Sequence, residues 1–317
     1  MFKFKTPSKK TKKIMSEVAL GNNNTNFEES CCEKIRKLTE KEEVKITSSG
    51  NNSIFIALAA IKGDIIVPDQ GGWHGFKQIA KFLNKNIITL KTDLGLINPN
   101  YMDDLNIKEG SALIYTSFAG YCAEQDTKNI TKYCKNNDII TIEDSSAGIG
   151  DKENKLGKYS DIILASTGSP KIINVGQGGF IATNNKEIFK NTTMPEKLSK
   201  TSEIVCSGID SELENIEEKL ELTLNATNYL KKHIHNTLHS NKRGINVIIP
   251  HNDAKSISWN LKKTLKTDKS GFITTCPNYN RVKQKAIAIE VKNLNYKCLK
   301  KEYLDKIINE IKINNLQ

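Results

Sequence analysis

Three side chains within one stretch have types and spacing suited to joint chemistry: Asp144, Ser166 and Lys171. Asp144 closes the run IITIED, Ser166 closes DIILAS, and Lys171 follows five residues later in TGSPK. A β-branched run buried in a sheet has no use for a charge at its end unless something there requires one. A lysine amine condenses with an aldehyde to a Schiff base. A carboxylate keeps a pyridine nitrogen protonated, and hydroxyls and backbone N–H groups hold a phosphate.

Pyridoxal 5'-phosphate needs all of these at once. Lys171 is the candidate for its aldehyde, Asp144 for its ring nitrogen and Ser166 for its phosphate. A second phosphate element precedes them. Val44–Thr47 predicts a short strand, SSGNNS a turn, and Ile54 onward a buried helix, apolar all round. A helix start carrying Gly50, Asn51 and Asn52 offers N–H donors to an anion. After the predicted strand IIV, closed by Pro68, comes DQGGWHGF. Trp73 stands there beside glycines that allow close backbone approach, and its ring suits stacking on a heteroaromatic ring. His74 and Phe76 are alternatives, and each of these aromatics also reads as a packing residue.

The order of these motifs resembles the DegT/DnrJ/StrS family of aminotransferases. The shared pattern is a strand ending in Glu143–Asp144, a strand, Ser166 five residues before Lys171, and the pair Gly178–Gly179. It spans roughly residues 28–185. The resemblance implies fold type I of pyridoxal-phosphate enzymes: a large doubly wound mixed α/β sheet domain and a small C-terminal α/β domain. It implies an amino-acid donor, glutamate, and a keto acceptor, typically a nucleotide-linked sugar. It implies a homodimer with sites at the subunit interface. The chain departs from the pattern in several places: the family's aromatic sits one residue before Trp73, and the step from Lys171 to Gly179 is one residue short. Asn51 replaces a threonine. Ala147 stands where a Gln or His contacts the cofactor. The run after ALIYT lacks the family's His and keeps a shifted Tyr121. The segment 191–209 lacks an Asn- and Arg-bearing motif.

The elements that must position these residues follow from the pattern. Short apolar runs alternating with helical stretches predict a doubly wound sheet. Thr25 to Glu28 fits a capping box ahead of a helix. Residues 191–209 read as polar and irregular, and 211–239 as one long amphipathic helix joining the domains. On it, His235 and His239 have metal-ligand spacing, but no third ligand is near and no metal is expected. The expected division is a basic tail over 1–20, a cofactor domain over 21–195, and a linking helix with a small domain over 196–317. In the last, Arg281 is a candidate for a substrate carboxylate.

The 317 residues carry a net charge of +11, and six lysines fall in the first thirteen positions. That stretch reads as a loosely docked or disordered tail. The charge suits phosphorylated substrates; neither nucleic acid nor a membrane is an expected partner. No apolar run is long enough for a membrane span, and no secretory leader is evident. Seven cysteines without CxxC spacing read as reduced thiols of a cytoplasmic protein. Two alternatives stay open: another pyridoxal-phosphate reaction (lyase, decarboxylase or desulfurase, with Cys122 or Cys206 as a thiol), and a degenerate protein that binds polyanions.

Overall fold

The computed structural model describes residues 1–23, 25–269 and 271–314. Its centre is a seven-stranded sheet. The strands are β1 (Glu43–Thr47), β2 (Ile65–Pro68), β3 (Ile87–Leu90), β4 (Ala112–Thr116), β7 (Ile140–Asp144), β8 (Ile162–Ser166) and β9 (Gly179–Thr183). A two-stranded hairpin, β5 (Phe118–Ala119) and β6 (Ala123–Glu124), follows β4. The order is β1-β9-β8-β7-β4-β2-β3. Neighbours from β8 through β3 pair in parallel, and β9 runs antiparallel to both β8 and β1. Every residue of β2, β4 and β9 is buried, and β7 and β8 nearly so. Parallel strands covered on both faces need such unbroken apolar runs. The order reverses between β2 and β4, so their carboxyl ends open a crevice.

Helices α1 (Lys9–Ala19), α2 (Phe27–Thr39), α3 (Gly50–Ala60), α4 (Gly75–Phe82), α5 (Thr127–Asn136), α6 (Glu187–Lys190), α7 (Thr193–Leu198) and α8 (Glu203–Leu213) surround the sheet. The long α9 (Ile216–His233) leads to a second, antiparallel sheet. It comprises β10 (Val247–Pro250), β11 (Ile273–Cys276) and β12 (Ala286–Ile289), with β12 central. Helices α10 (Ala254–Thr264) and α11 (Lys301–Ile313) pack with it. Phe272, Ile287, Leu304 and Ile307 belong to this second core.

Four local expectations are corrected. Helix α2 is capped by Asn26, whose side chain accepts from Glu29 N at 3.1 Å, not by the Thr25 box; asparagine caps at least as well as threonine. Helix α3 begins at Gly50 rather than Ile54, because Ser49 caps it by accepting from Asn52 N. The polar segment 191–209 contains α7 and most of α8. Val205, Ile209 and Leu213 recur every fourth residue and are buried, a helical stripe masked by polar neighbours. The predicted helix 211–239 is two helices broken at Glu214–Asn215, where Ile216 turns in against Gly150.

The basic N-terminus is folded down. Phe2 is buried with its ring 5.0 Å from that of Phe272. Ser8 caps α1, which packs on α8. Lysines that read as a charge run are the outer face of an arm whose Phe2, Lys5 and Thr11 point inward. No helix among the described residues is long and apolar enough to cross a membrane.

Candidate functional site

The carboxyl ends of the central strands converge on a cavity of about 190 Å³ lined by Ser49, Gly50, Asn51, Trp73, Asp144, Ser146, Ser166 and Lys171, with Ile54 and Leu164 beneath. Six of the seven predicted site residues therefore meet. Asn52 does not line it; its amide turns back to Ser48 Oγ at 2.6 Å.

Close approach of α3 to β8 makes the floor. A Cβ on Gly50 would lie 2.5 Å from Ser166 Cβ, so only glycine lets the helix start reach the strand end. Gly179 serves the same contact: its Cβ would meet Gly50 N at 2.8 Å and Ala165 O at 2.7 Å. This Gly-Gly pair is thus explained by packing behind the cavity.

Asp144 is buried at the tip of β7. Its Oδ1 accepts from Ser146 N at 3.0 Å and from Ser146 Oγ at 2.5 Å. Ser146 Oγ in turn accepts from Ser166 N at 2.7 Å. Ser146 thus fixes the Asp144 carboxylate and ties it to the backbone of Ser166, and the sequence reading missed it. Its signal was a hydroxyl two residues after the strand-end aspartate. Ala147, the departure from the family pattern, packs in the hydrophobic core.

Among the three candidate aromatics, Trp73 lines the cavity, held by its Nε1 donating to Asn51 Oδ1 at 3.0 Å. Phe76 is fully buried in the core beside α3, and His74 is exposed and bonded to Asn280. The turns after β2 and β4 are tied together: Gly120 N and Thr116 Oγ1 both donate to Gly71 O.

The second turn carries Tyr121. Lys171 Nζ lies 3.2 Å from Tyr121 Oη. Tyr121 holds a left-handed φ of 65°, a conformation costly for a bulky residue. Its carbonyl accepts from both Ile245 N and Asn246 N, and Lys231 Nζ, buried in a cage of three carbonyls, fixes the next one at Cys122 O. Burial works against the Lys171 ammonium, but the Tyr121 oxygen and the Asp144 carboxylate outweigh it and hold the amine above the ordinary lysine value.

Arg281 reaches the same ring, its Cζ 4.6 Å from the Tyr121 centroid. Its Nε and Nη2 each bond Glu290 at 2.7 Å. That edge of the guanidinium has its carboxylate already, and Nη1 donates to Asn280 O at 2.6 Å, so the expected role toward a substrate carboxylate is not what the geometry displays. Burial works against the Glu290 carboxylate, yet Arg281 and Lys292 hold its carboxyl far below the ordinary range.

Helix α9 ends at His233, so His235 and His239 lie beyond it and do not share a helical face. Among the described residues no three metal-binding side chains cluster. Cys122 and Cys206 are buried, and burial pushes their thiols up to about 11 and about 12. Neither is a ready thiolate. A larger groove of about 910 Å³ runs along α9. Much of its charge is self-paired, as in Lys152–Glu217 and Arg243–Asp151, and it contains none of the groups above.

The chain is similar over its full length to solved enzymes of fold type I. It superposes on the aminotransferase PseC of Helicobacter pylori with a TM-score of 0.75 at 14% identity, covering 99% of this chain and 98% of that one. NtdA of Bacillus subtilis, solved with bound cofactor PMP, gives 0.72 at 17%, covering 98% and 83%. Serine palmitoyltransferase of Sphingomonas wittichii gives 0.72 at 12%, covering 96% and 82%. By sequence, 94 residues are 31% identical to the uncharacterized protein MJ1066 of Methanocaldococcus jannaschii; the match spans 29% of this chain and 24% of that relative. Residues 217–312 match the MJ1341 family C-terminal domain. Residues 8–217 match the DegT/DnrJ/EryC1/StrS aminotransferase family, and on that match the chain belongs to this family.

Proposed function

We propose that this protein is a pyridoxal 5'-phosphate-dependent aminotransferase that moves an amino group from an amino-acid donor, glutamate, to a keto substrate of the nucleotide-linked sugar class. One observation carries the reading: an amine, a buried carboxylate, a hydroxyl and a helix start meet in one cavity at the carboxyl ends of parallel strands.

The donor set fits the cofactor. Asp144, fixed by Ser146, suits the ring nitrogen; Ser166 and the first turn of α3 suit the phosphate; Trp73 supplies a flat face beside them. When bound, pyridoxal phosphate supplies the electron sink that acidifies the donor's Cα. Lys171 is the group that carries the proton at its Nζ, and Tyr121 Oη, at 3.2 Å, is placed to exchange it. Asp144 keeps its charge directed into the cavity because both Ser146 donors hold one of its oxygens.

The homodimer reading is supported by exposed apolar groups on two helices that pack against α3. Phe82 on α4 and Met194 and Leu198 on α7 are 76%, 63% and 74% exposed. Both helices pack against α3, whose first turn lines the cavity. A second copy covering this face would bury them. Sedimentation of Phe82→Glu tests it: wild type sediments as a dimer and the variant as a monomer, and a monomeric wild type overturns it.

The first experiment is the visible absorption spectrum with added pyridoxal phosphate, before and after glutamate. A band that requires Lys171 and is bleached by glutamate is expected. Absence of any band in the wild type overturns the cofactor reading; a band that glutamate leaves unchanged overturns the donor.

A further inference from the structure

The N-terminal arm lies antiparallel beside residues 293–295. Lys5 N donates to Asn293 O at 2.8 Å, Asn295 N to Lys3 O at 2.9 Å, and Phe4 bridges Leu294. This sets the Lys5 side chain inside the molecule, 1% exposed, with Nζ 4.6 Å from the centroid of Tyr296. Among the described residues neither Lys5 Nζ nor Tyr296 Oη has a hydrogen-bond partner. A buried ammonium without an anion is costly, and an unpaired phenol beside it adds to the cost.

Lys292 precedes the Asn293 that pairs with Lys5; its Nζ donates to Asn293 Oδ1 at 2.8 Å and joins a cationic cluster. Lys292 Nζ, Arg281 Cζ and Lys171 Nζ stand 5.1, 4.6 and 5.4 Å from the centroid of one ring, Tyr121. A single carboxylate, Glu290, serves both Arg281 at 2.7 Å and Lys292 at 3.3 Å. The next carboxylate, Glu212, is committed to Ser8 N, Thr11 Oγ1 and Lys219 Nζ. Burial, then the charge of Lys292, lowers Lys5 to about 7; burial lowers Lys292 to about 8. Lys292 keeps 12% of its side chain exposed, so the cluster meets solvent there.

We propose that Lys5, Lys292 and the Tyr296 hydroxyl form an oxyanion site, linked to Lys171 through the Tyr121 ring, that takes a second anionic group of the substrate, a carboxylate or a phosphate. The arm is then a wall of the binding site. The link to catalysis rests on reading Lys171 as the reacting amine; the anion site itself does not.

The test titrates succinate and, separately, inorganic phosphate into the full chain by calorimetry, with pyridoxal phosphate already added so that its own phosphate site is filled. One of the two should bind, and which one names the source of the anion. Lys5→Met and Lys292→Met should each weaken it tenfold or more, and Tyr296→Phe about threefold. Binding by neither probe, or unchanged binding in Lys5→Met, overturns the proposal. If Lys5→Met fails to fold, Tyr296→Phe decides, since it removes one oxygen only. The visible band of added pyridoxal phosphate should persist in Lys5→Met; a wild type without that band overturns the cofactor reading and leaves the calorimetric result standing.

Discussion

Glu143 and Asp144 are consecutive carboxylates on β7, and the pleat sends them to opposite faces of the sheet. Asp144 faces the cavity, where two donors from Ser146 hold one oxygen. Glu143 faces the core, 0% exposed. Its Oε1 accepts from Ser117 Oγ at 2.6 Å and Gly157 N at 2.9 Å, while Oε2 has no partner among the described residues. Burial pushes the Glu143 carboxyl up to about 7, against those two donors. Neighbours of like chemistry thus have different work. One is fixed by Ser146 facing the cavity; the other is an acid that folding prefers protonated.

This difference is open to direct attack. Lys171→Ala, on the cavity face, should abolish turnover and the visible band while the melting curve stays near wild type; retained turnover would remove the assignment. Asp144→Asn keeps the shape and deletes the charge. Its turnover should fall about a hundredfold or more, and steady-state kinetics giving less than a few-fold loss would deny it the ring nitrogen. Tyr121→Phe should cost about tenfold in turnover, the equivalent of one charge-assisted hydrogen bond. Because the Tyr121 oxygen helps raise the Lys171 amine, the variant should lower it. The pH dependence of Lys171 acetylation in the cofactor-free chain, followed by mass spectrometry, reads this, and an unmoved midpoint would sink it.

The smallest effect on activity belongs to the core face. Glu143→Gln should leave turnover within about twofold, yet change how stability depends on pH. A carboxyl raised in the folded state binds its proton more tightly there than in the unfolded chain. Its contribution is full below the unfolded value near 4.5 and is lost as pH rises toward 7. The loss is on the order of 3 kcal/mol. Urea melts at pH 5 and pH 7.5 should show this loss in the wild type and not in the variant; parallel slopes would refute it.

Much of the cavity was legible because its groups sit at the ends of runs with one reading. IITI and IILA are β-branched or aliphatic throughout, so the Asp144 and Ser166 that follow them stood out. Ser146 and Tyr121 were harder to see. A serine beside another serine is a weak signal even two residues after a strand-end aspartate, and Tyr121 becomes a neighbour of Lys171 only when the turns after β2 and β4 close on each other through Gly71. Arg281 lies in the turn between β11 and β12 and its bidentate partner Glu290 just after β12, a pairing that no local pattern reveals. The Asn52 side chain turns from the cavity for a local reason. Once Ser49 caps α3, Asn52 occupies the third helical position, and its side chain turns to Ser48.

The sequence by itself determined the alternation of buried strands and helices, the doubly wound class, and the identity of the amine, carboxylate and hydroxyl. Those follow from local periodicity and from charges where apolar runs end. Only the tertiary structure decided what surrounds the amine. The arm that composition marked as a solvated tail is buried through Phe2 and Lys5, which have opposite parity along an extended segment, so both faces of that segment meet the protein beside residues 293–295. A charge count is blind to that pairing. The fold places Lys5 inside beside Tyr296 and leaves the lysines of α1 in water.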